Sequence, residues 1–350
     1  MRILVTGCSG LIGSEAVRYF GEKGHKVYGM DNNMRQRFFG PDGDTTWNLE
    51  LLKQEVESFE HFSLDIRNQD AVFKFFETRE LDVVIHCAAQ PSHDKAREIP
   101  IIDFEVNALG TIYLLEATRR YRPEAVFIFM SSNKVYGDAP NDLPMLELET
   151  RWDYADKKDY DGIDETCRID RCLHSLFGAS KVAADVMTQE YGRYFGMKTV
   201  AFRGGCLTGR RHSGVQLHGF LSHLVKVAVE GRKYTIFGYK GKQVRDQIHS
   251  LDVVRAMEAY IEAPRPGEVY NVGGGRKNSA SILESITAIE AASGKRIHYE
   301  YCEQHRVGDH ICYISNLAKF KSHYPTWKVR RSLEDIIAEM VREEKHSLQQ

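Results

Sequence analysis

Three glycines near the N-terminus have the spacing of a phosphate-binding loop. Gly7, Gly10 and Gly13 lie between a short apolar run and the first helical pattern. Gly7 permits a tight turn, Gly10 lets the backbone approach a pyrophosphate, and Gly13 lets the helix pack closely on the strand. Because the first N–H groups of that helix would face the anion, we expect Leu11 and Ile12 to line a dinucleotide site.

An acidic residue favours a bound cofactor over a glycine turn without a ligand. The second predicted strand ends in Asp31, about twenty residues past the loop, where this fingerprint places a ribose-binding carboxylate. A carboxylate there accepts both ribose hydroxyls and repels a 2′-phosphate, so the sequence predicts NAD rather than NADP. Arg35 lies nearby and weakens that preference, and Asn32 and Asn33 are assigned to the same site.

Strand-like and helix-like segments alternate over the first two-thirds of the chain. This alternation predicts an α/β fold of the Rossmann type, with a doubly wound parallel sheet. The predicted strands are residues 3–6, 26–30, 61–65, 83–88, 126–131 and 199–203, and the predicted helices are 12–22, 71–76, 106–119 and 177–195.

After residue 204 the pattern changes to helices mixed with short strands, which predicts a smaller C-terminal α/β substrate domain. We expect an NAD-binding domain of residues 1–203 plus about 238–262, and a sugar-nucleotide domain of about 204–237 and 263–345. Two helix-start boxes are expected at Ser281 and Ser332. Residues 138–170 form a long aperiodic insertion, which is more often functional than idle.

The composition excludes several classes of protein. The 350 residues carry a formal charge of -2, and no apolar run is long enough to cross a bilayer, so neither nucleic acid nor a membrane is predicted as a partner. The seven cysteines contain no C-x-x-C pair, which predicts reduced thiols and no metal site. A glycine turn follows the start at once, so no signal peptide and a cytoplasmic location are expected.

Several motifs together resemble one family. The glycine loop, Asn107-Ala-Leu-Gly110-Thr111, Val135-Tyr136-Gly137 and Arg245-Asp246 are similar to the extended short-chain dehydrogenase/reductase superfamily, which consists mostly of nucleotide-sugar epimerases and dehydratases. The resemblance implies homodimers formed through helices such as 106–119 and 177–195. It also implies further cofactor-site residues, with Asn107 bracing the central helices: Asp65, Ile66, Ala88, Ala89, Gln90, Asn107, Ser131 and Lys181.

The residue types at the end of the fifth strand distinguish two groups of enzymes within that superfamily. By the resemblance, Ser132 hydrogen-bonds the reacting sugar hydroxyl. Dehydratases carry an Asp–Glu pair in the next two positions, whereas this chain has Asn133-Lys134 and lacks the carboxylates that water loss needs. The run from Asn133 to Asp138, and residues 241–246, resemble the CDP-paratose 2-epimerase (CDP-tyvelose 2-epimerase) family.

The catalytic helix departs from the superfamily pattern. Its members place a tyrosine four residues before a lysine, one helical turn apart on the same face. The resemblance implies that Lys181 holds the nicotinamide ribose, but the tyrosine position holds Phe177, which cannot exchange a proton. We consider Lys134 as a substitute base, because a desolvated lysine can reach a useful pKa. Weaker candidates are Tyr136, Tyr160, His93, His174 and Cys206.

The resemblance also implies residues that bind the sugar nucleotide. Arg245 and Arg306 match arginines that bind the diphosphate, a group that a guanidinium grips bidentately. The alternative for these arginines is ion pairing with Asp246 and Asp309. The whole predicted substrate set is His93, Ser132, Asn133, Lys134, Gly205, Arg245, Arg306 and Asp309.

The leading hypothesis is an NAD-dependent nucleotide-sugar epimerase that acts at C2 of a CDP-sugar through a transient ketone. One alternative is a 4-epimerase of a UDP-hexose or UDP-hexuronate. Another, of a different class, is a non-catalytic protein that binds NAD and a sugar nucleotide, which Phe177 supports.

Overall fold

The computed structural model describes residues 1–209, 219–304 and 308–348. Its strands, in chain order, are β1 (Arg2–Thr6), β2 (Lys26–Met30), β3 (Phe59–Phe62), β4 (Val83–His86), β5 (Val126–Ser132), β6 (Met145–Glu147), β7 (Trp152–Tyr154), β8 (Thr199–Gly204), β9 (Cys206–Thr208), β10 (Tyr234–Phe237), β11 (Val244–His249), β12 (Glu268–Val272), β13 (Ser279–Ser281), β14 (Tyr299–Cys302) and β15 (Cys312–Tyr313).

The α-helices alternate with these strands. They are α1 (Leu11–Glu22), α2 (Met34–Phe39), α3 (Thr46–Glu55), α4 (Gln69–Thr78), α5 (His93–Glu98), α6 (Pro100–Phe104), α7 (Gly110–Tyr121), α8 (Leu176–Phe195), α9 (Phe220–Glu230), α10 (Ser250–Glu262), α11 (Ile282–Ser293), α12 (Ala318–His323) and α13 (Leu333–Ser347).

The central sheet confirms the predicted fold class. Its strand order is β12-β8-β5-β4-β1-β2-β3, and β1 pairs in parallel with both β2 and β4. After β3 the chain therefore crosses back to β4 on the other side of β1. In such sheets, ligands bind beyond the carboxyl ends of the strands at this point of reversal. Gly7 follows β1 and Cys87 follows β4, so both lie there.

The predicted elements of the first part agree in type, with shifts at their ends. The third strand ends at Phe62, earlier than the predicted 61–65. The helix predicted at 106–119 begins as a π-helical turn, Glu105–Leu109, before α7. α8 begins at Leu176 because the Ser175 side chain accepts a hydrogen bond from Gly178 N–H and caps the first turn.

The chain forms two compact units. The first contains Met1–Val135, Ser175–Arg203 and Val253–Tyr270, and the second contains Tyr136–His174, Gly204–Asp252 and Asn271–Gln350. The first is built on the central sheet and buries aromatic and aliphatic side chains such as Phe127 and Leu114. The second has its own core, formed by α9, α11 and α13 around residues such as Ile289 and Ile336.

These units differ from the predicted domains at three places, one of which is residues 263–270, which belong to the first unit. The insertion Tyr136–His174 belongs to the second unit, because Tyr136 Oη donates to Asn271 Oδ1 at 2.8 Å and Glu165 Oε1 accepts from Asn271 N–H at 2.6 Å. Residues 238–252 also belong to the second unit, since β11 pairs there with β9, β13 and β15.

The insertion is held by aromatic and ionic contacts. β6 and β7 form an antiparallel hairpin. The Arg276 guanidinium bonds both carboxylate oxygens of Asp153, at 2.8 and 2.9 Å, and lies 4.3 Å from the Tyr160 ring centroid. Both predicted helix-start boxes are confirmed, at Ser281 with Glu284 and at Ser332 with Asp335.

Candidate active site

The glycine loop has no room for side chains. Gly7 has φ +66°, and a Cβ there would lie 2.7 Å from Ala88 N. A Cβ on Gly13 would lie 2.1 Å from Gly7 O. Gly10 precedes α1 and has no side chain to cap the helix, so the loop presents backbone N–H groups, including those of Leu11 and Ile12, at a positive helix end. This cradle fits a pyrophosphate.

The Asp31 carboxylate is held in place at the end of β2. Its Oδ2 accepts Ser9 N–H at 3.0 Å and its Oδ1 accepts Asn33 N–H at 2.8 Å. The Asn33 side chain itself faces the following loop, where its Nδ2 donates to Asp44 Oδ1 at 2.6 Å. Asp31 therefore has the position that a ribose-binding carboxylate needs, while the side chain of Asn33 has a structural partner.

The neighbouring predicted residues differ in their surroundings. Asn32 Oδ1 accepts Met34 N–H at 3.3 Å, and the Arg35 guanidinium lies 5.0 Å from the Phe39 ring centroid. Asp65 is assigned to the cofactor site by the resemblance; burial would raise the pKa of Asp65, but hydrogen bonds from Arg67 outweigh this and lower it. Arg67 is a residue that the sequence prediction missed, although it lies only two positions after Asp65.

Behind the loop after β4 lies a buried polar network. Gln90 N–H donates to Asn107 Oδ1 at 2.9 Å, and Asn107 Nδ2 returns a bond to Gln90 O at 3.0 Å. Asn107 Nδ2 also reaches Ser180 Oγ at 3.1 Å. Asn107 thus ties the loop after β4 to α8, which is the bracing geometry that the resemblance implies. Ile66 packs beside it, against Gly110.

The centre of this network is Asp103, which the sequence prediction missed. Its Oδ1 accepts Gln90 Nε2 at 2.7 Å and its Oδ2 accepts Ser180 Oγ at 2.7 Å. Burial raises the pKa of this carboxyl. The spacing of Asp103 and Asn107, four residues apart on one helical face, is the sequence signal that points to it.

The two serines at the end of β5 have different environments. Ser131 is buried, and its Oγ donates to Asp185 Oδ2 at 2.5 Å, so its hydroxyl is engaged in a buried hydrogen bond. Ser132 is half-buried, and its Oγ accepts Lys134 N–H at 3.2 Å. Asn133 and Lys134 follow in a short 3₁₀ turn. Ser132 and Lys134 therefore share a turn at the carboxyl end of the sheet, while Ser131 stabilises the strand from inside.

Lys181 lies deep in the first unit. Its Nζ donates to Met130 O at 2.9 Å and stands 4.5 Å from the Phe129 ring centroid. Burial lowers its pKa to about 8, against the opposing effects of Cys87, Asp103 and Asp185.

Ala88 and Ala89, which the resemblance assigns to the cofactor, follow β4, and Ala88 N–H donates to Thr6 Oγ1 at 3.2 Å.

One helical turn before Lys181 lies Phe177, which the resemblance assigns to the position of the superfamily tyrosine. Its side chain is 6% exposed. The ring centroids of Phe177 and His93 are 5.2 Å apart, at an interplanar angle of 53°. His93 was assigned to the substrate on resemblance, and the structure brings its imidazole against the catalytic helix.

The second unit contains Arg245, the predicted diphosphate-binding arginine that lies within the described part of the chain. Arg245 Nη2 donates to Asp309 Oδ1 at 2.6 Å. Burial would lower the pKa of Arg245, but the charge of Asp309 outweighs it and keeps the pKa raised. Of the alternative ion pairs with Asp246 and Asp309, Arg245 forms the one with Asp309, whereas Asp246 is buried and its Oδ2 accepts Gly275 N–H at 2.9 Å. Gly205 packs beside Asp246. Arg306 lies outside the described residues.

The described residues, 1–209, 219–304 and 308–348, include all seven cysteines. In these ranges there is no group of three or more His, Cys, Asp or Glu side chains that could hold a metal ion. No helix in the same ranges is long and apolar enough to cross a membrane. Each of the cysteines is a free thiol.

Comparison with known proteins defines the family. Residues 3–273 match the NAD dependent epimerase/dehydratase family. The chain is 34% identical to a CDP-paratose 2-epimerase of Salmonella typhi over 298 residues, which cover 83% of this chain and 84% of the relative. It is 28% identical over 355 residues to UDP-glucose 4-epimerase 2 of Arabidopsis thaliana, covering 97% and 93%.

A solved structure extends the likeness over the whole chain. The UDP-glucuronic acid 4-epimerase of Bacillus cereus, in complex with UDP-glucuronic acid and NAD, superposes with a TM-score of 0.78, at 25% identity, covering 99% of this chain and 100% of the other. The protein belongs to the NAD dependent epimerase/dehydratase family. The predicted superfamily, the Rossmann fold and NAD as cofactor are thereby confirmed.

Proposed function

We propose that the protein is an NAD-dependent nucleotide-sugar epimerase that inverts C2 of a CDP-sugar through a transient ketone. The observation that carries the proposal is Asn133-Lys134 at the end of β5, in a chain 34% identical to a CDP-paratose 2-epimerase. Dehydration needs an acid and a base at these positions, and neither an amide nor a lysine next to Ser132 replaces that pair.

The roles of the chain's residues follow from their positions. When bound, NAD supplies the hydride acceptor for the sugar carbon and the donor for its return. Ser132 hydrogen-bonds the reacting hydroxyl, and Lys181 holds the nicotinamide ribose. Arg245 binds the diphosphate, for which its pairing with Asp309 keeps it charged and oriented. Because hydride leaves and returns at one carbon, there is no net oxidation, and NAD stays bound through many cycles.

A second candidate acts on a different sugar. A UDP-glucuronic acid 4-epimerase superposes on 99% of this chain, and a UDP-glucose 4-epimerase aligns with 97% of it. The chemistry at C4 is the same as at C2, so a UDP-hexose or UDP-hexuronate 4-epimerase uses the same residues with the sugar turned. The non-catalytic alternative is supported by Phe177.

The three candidates are separated by one set of incubations. The purified NAD-loaded protein is mixed with CDP-paratose, UDP-glucose or UDP-glucuronic acid in deuterated water, and the products are followed by NMR. We expect inversion of CDP-paratose at C2 without deuterium at that carbon. Inversion of a UDP-sugar at C4 supports the second candidate, deuterium at the inverted carbon contradicts hydride return, and binding without turnover establishes the non-catalytic class.

We also propose that the protein is a homodimer, as the resemblance implies for helices 106–119 and 177–195. Large apolar side chains stand exposed near these helices: Ile101 (73%), Phe104 (52%), Tyr194 (81%) and Phe195 (49%). Light scattering should give twice the chain mass, and Phe104→Ser with Tyr194→Ser should lower it toward the mass of one chain. A single-chain mass for the unaltered protein contradicts the proposal. The cytoplasmic location stays a prediction.

A further inference from the structure

The replacement of tyrosine by Phe177 leaves the proposed reaction without its usual proton acceptor. When a sugar hydroxyl becomes a ketone, the O–H proton must leave as the hydride departs from the same carbon. A phenyl ring cannot take that proton. An active epimerase of this sequence therefore needs another titratable group beside the position of Phe177.

We propose that His93 exchanges this proton in place of the missing tyrosine. The inference rests on the proposed epimerase function. The imidazole is a half-buried ring whose centroid lies 5.2 Å from that of Phe177, so it borders the family's catalytic position while part of it stays accessible. An imidazole can accept a proton on one ring nitrogen and release it again, which is the exchange that this step needs.

His93 is held against the catalytic helix by the buried network described above. Its neighbour Ser92 donates its N–H to Gln90 Oε1 at 2.8 Å and accepts Gln90 Nε2 on its carbonyl oxygen at 2.8 Å. Gln90 Nε2 also donates to Asp103, which in turn accepts Ser180 Oγ from α8. Ser180 lies three residues after Phe177 on α8. This chain of short bonds fixes the two rings relative to each other, as a proton-transferring group requires.

Two groups of the first unit, Lys181 and Cys87, are less suited to this role. Lys181 Nζ is fully buried and bonds Met130 O at 2.9 Å, and the resemblance assigns it to the cofactor ribose. Burial raises the pKa of the Cys87 thiol to about 12, so it is protonated at neutral pH and is not a base. A third group, Lys134, lies in the turn after β5 and is the rival base that the test below includes.

The candidates in the second unit are engaged elsewhere. Tyr136 is fully buried and its Oη donates to Asn271 Oδ1 at 2.8 Å. Tyr160 is exposed and stacks with the Arg276 guanidinium. The His174 ring lies beside the Cys172 thiol, with its nitrogens 3.8 and 3.9 Å from the sulfur. His93 is therefore the candidate whose contacts tie it to the tyrosine position.

In this step His93 carries the proton and bound NAD carries the hydride. In the forward direction the sugar O–H bond breaks and its proton passes to a ring nitrogen of neutral His93, while the C–H electron pair leaves as hydride to NAD+ and the C=O bond forms. In the return direction the ketone oxygen takes the proton back from the imidazolium as hydride adds to the opposite face of the carbon. The imidazole and the cofactor both end as they began.

The test compares four variants of the NAD-loaded protein. His93→Gln removes the titratable ring, and His346→Gln removes an exposed histidine near the C-terminus as a matched control. Lys134→Met tests the rival base. Phe177→Tyr in the His93→Gln background restores the family's phenol. Thermal melting, bound NAD content and calorimetric binding of CDP-paratose identify any variant that is misfolded, and His93→Asn serves as a second substitution.

For His93→Gln we expect kcat to fall by about 100-fold or more, the loss typical of a missing general base, with NAD content and CDP-paratose affinity near those of the unaltered protein. His346→Gln should change kcat by less than about tenfold, Lys134→Met should lose less rate than His93→Gln, and the added tyrosine should recover much of the lost rate. A readout independent of turnover is NMR of ¹³C-labelled histidine: the resonance missing from His93→Gln should shift when CDP-paratose is added to the NAD-loaded protein.

The outcomes separate this inference from the proposed function. If the unaltered protein inverts a sugar nucleotide but His93→Gln does so at a similar rate, or if Lys134→Met carries the loss instead, the role of His93 is refuted and the epimerase stands. If the histidine resonance does not respond to CDP-paratose that binds, the role is refuted as well. If the unaltered protein turns over none of the three sugar nucleotides, the epimerase itself fails and the role of His93 with it.

Discussion

Asp103 accepts a 2.7 Å hydrogen bond from Ser180 Oγ, across 77 positions of sequence, and this bond joins α6 to α8. The same carboxylate accepts Gln90 Nε2 and Asn107 Nδ2. A buried carboxylate with three donors is stable because each donor satisfies part of its lost hydration. The bond between Asp103 and Ser180 thus fixes the position of α8 and of His93 together.

Removal of this carboxylate should destabilise the protein. We expect Asp103→Ala to lower the free energy of unfolding by about 3 kcal/mol or more, because it leaves several buried donors without an acceptor. Ser180→Ala, which removes one donor, should cost about 1 kcal/mol. Urea denaturation measures both. Asp161→Ala, at an exposed carboxylate, should change stability by less than about 0.5 kcal/mol, and an equal loss there would contradict the role of the network.

A buried ion pair between β8 and α8 should contribute more to the free energy of unfolding than an exposed ion pair does. Arg203 Nη2 lies 2.9 Å from Asp185 Oδ1, with side-chain exposures of 4% and 1%. Arg203→Met leaves a buried carboxylate without its cation and should cost about 3–5 kcal/mol. The exposed pair Arg193–Glu190 is the matched control, for which Arg193→Ala should cost about 1 kcal/mol at most. Similar losses in the two variants would show that burial of the pair has no bearing on its contribution.

The lowered pKa of Lys181 predicts how stability changes in alkaline solution. The pKa falls from 10.5 to about 8 on folding, so between these values the unfolded chain binds the additional proton. Stability therefore rises with pH across this window, as the cost of burying the ammonium is relieved. The total gain is on the order of 3 kcal/mol.

The measurement compares the NAD-free protein with Lys181→Met, using urea denaturation from about pH 7 to pH 10. The difference between their unfolding free energies should rise with pH in favour of the unaltered protein, because the other titrating groups are common to both. A flat difference would mean that Lys181 keeps its ordinary pKa in the folded chain.

Two glycines with the same backbone geometry test the cofactor cradle. Gly7 has φ +66° and Gly24 has φ +78°, but a Cβ at Gly7 would lie 2.7 Å from Ala88 N, whereas nothing stands within 4 Å of a Cβ at Gly24. Gly24→Ala should cost about 1–2 kcal/mol of stability and leave NAD binding unchanged. Gly7→Ala carries the same backbone penalty and a clash at the loop, so we expect it to lose NAD binding by more than about tenfold. Calorimetric titration with NAD distinguishes them; equal affinity in both variants contradicts the position of the cradle.

Local sequence predicted much of the first unit because its signals are short-range. The strand–helix alternation, the glycine spacing and the serine caps at Ser281 and Ser332 each depend on neighbouring residues, and the structure reproduces them. The end of β3 and the π turn before α7 were missed, since element ends depend on packing against other strands and helices.

The domain limits and the ion pairs could not be derived in that way. Ion pairing with Asp246 and Asp309 was the alternative that the sequence left open for Arg245 and Arg306, but successive side chains of a strand point to opposite faces. Arg245 therefore meets Asp309, which is 64 positions away, and Asp246 turns inward to the backbone of Gly275.

The sequence by itself determined that the chain forms a dinucleotide loop, that Asn133-Lys134 replaces a dehydratase's carboxylates, and that Phe177 stands where a proton acceptor is expected. The first follows from residue type and spacing, and the other two are implied by the resemblance to the superfamily, so none of them needs knowledge of distant contacts. The tertiary structure decided that Asp103, Ser180 and Gln90 form one buried network and that the His93 ring lies against Phe177. Such contacts join residues far apart in sequence, so they exist only once the sheet has brought the ends of its strands to one edge.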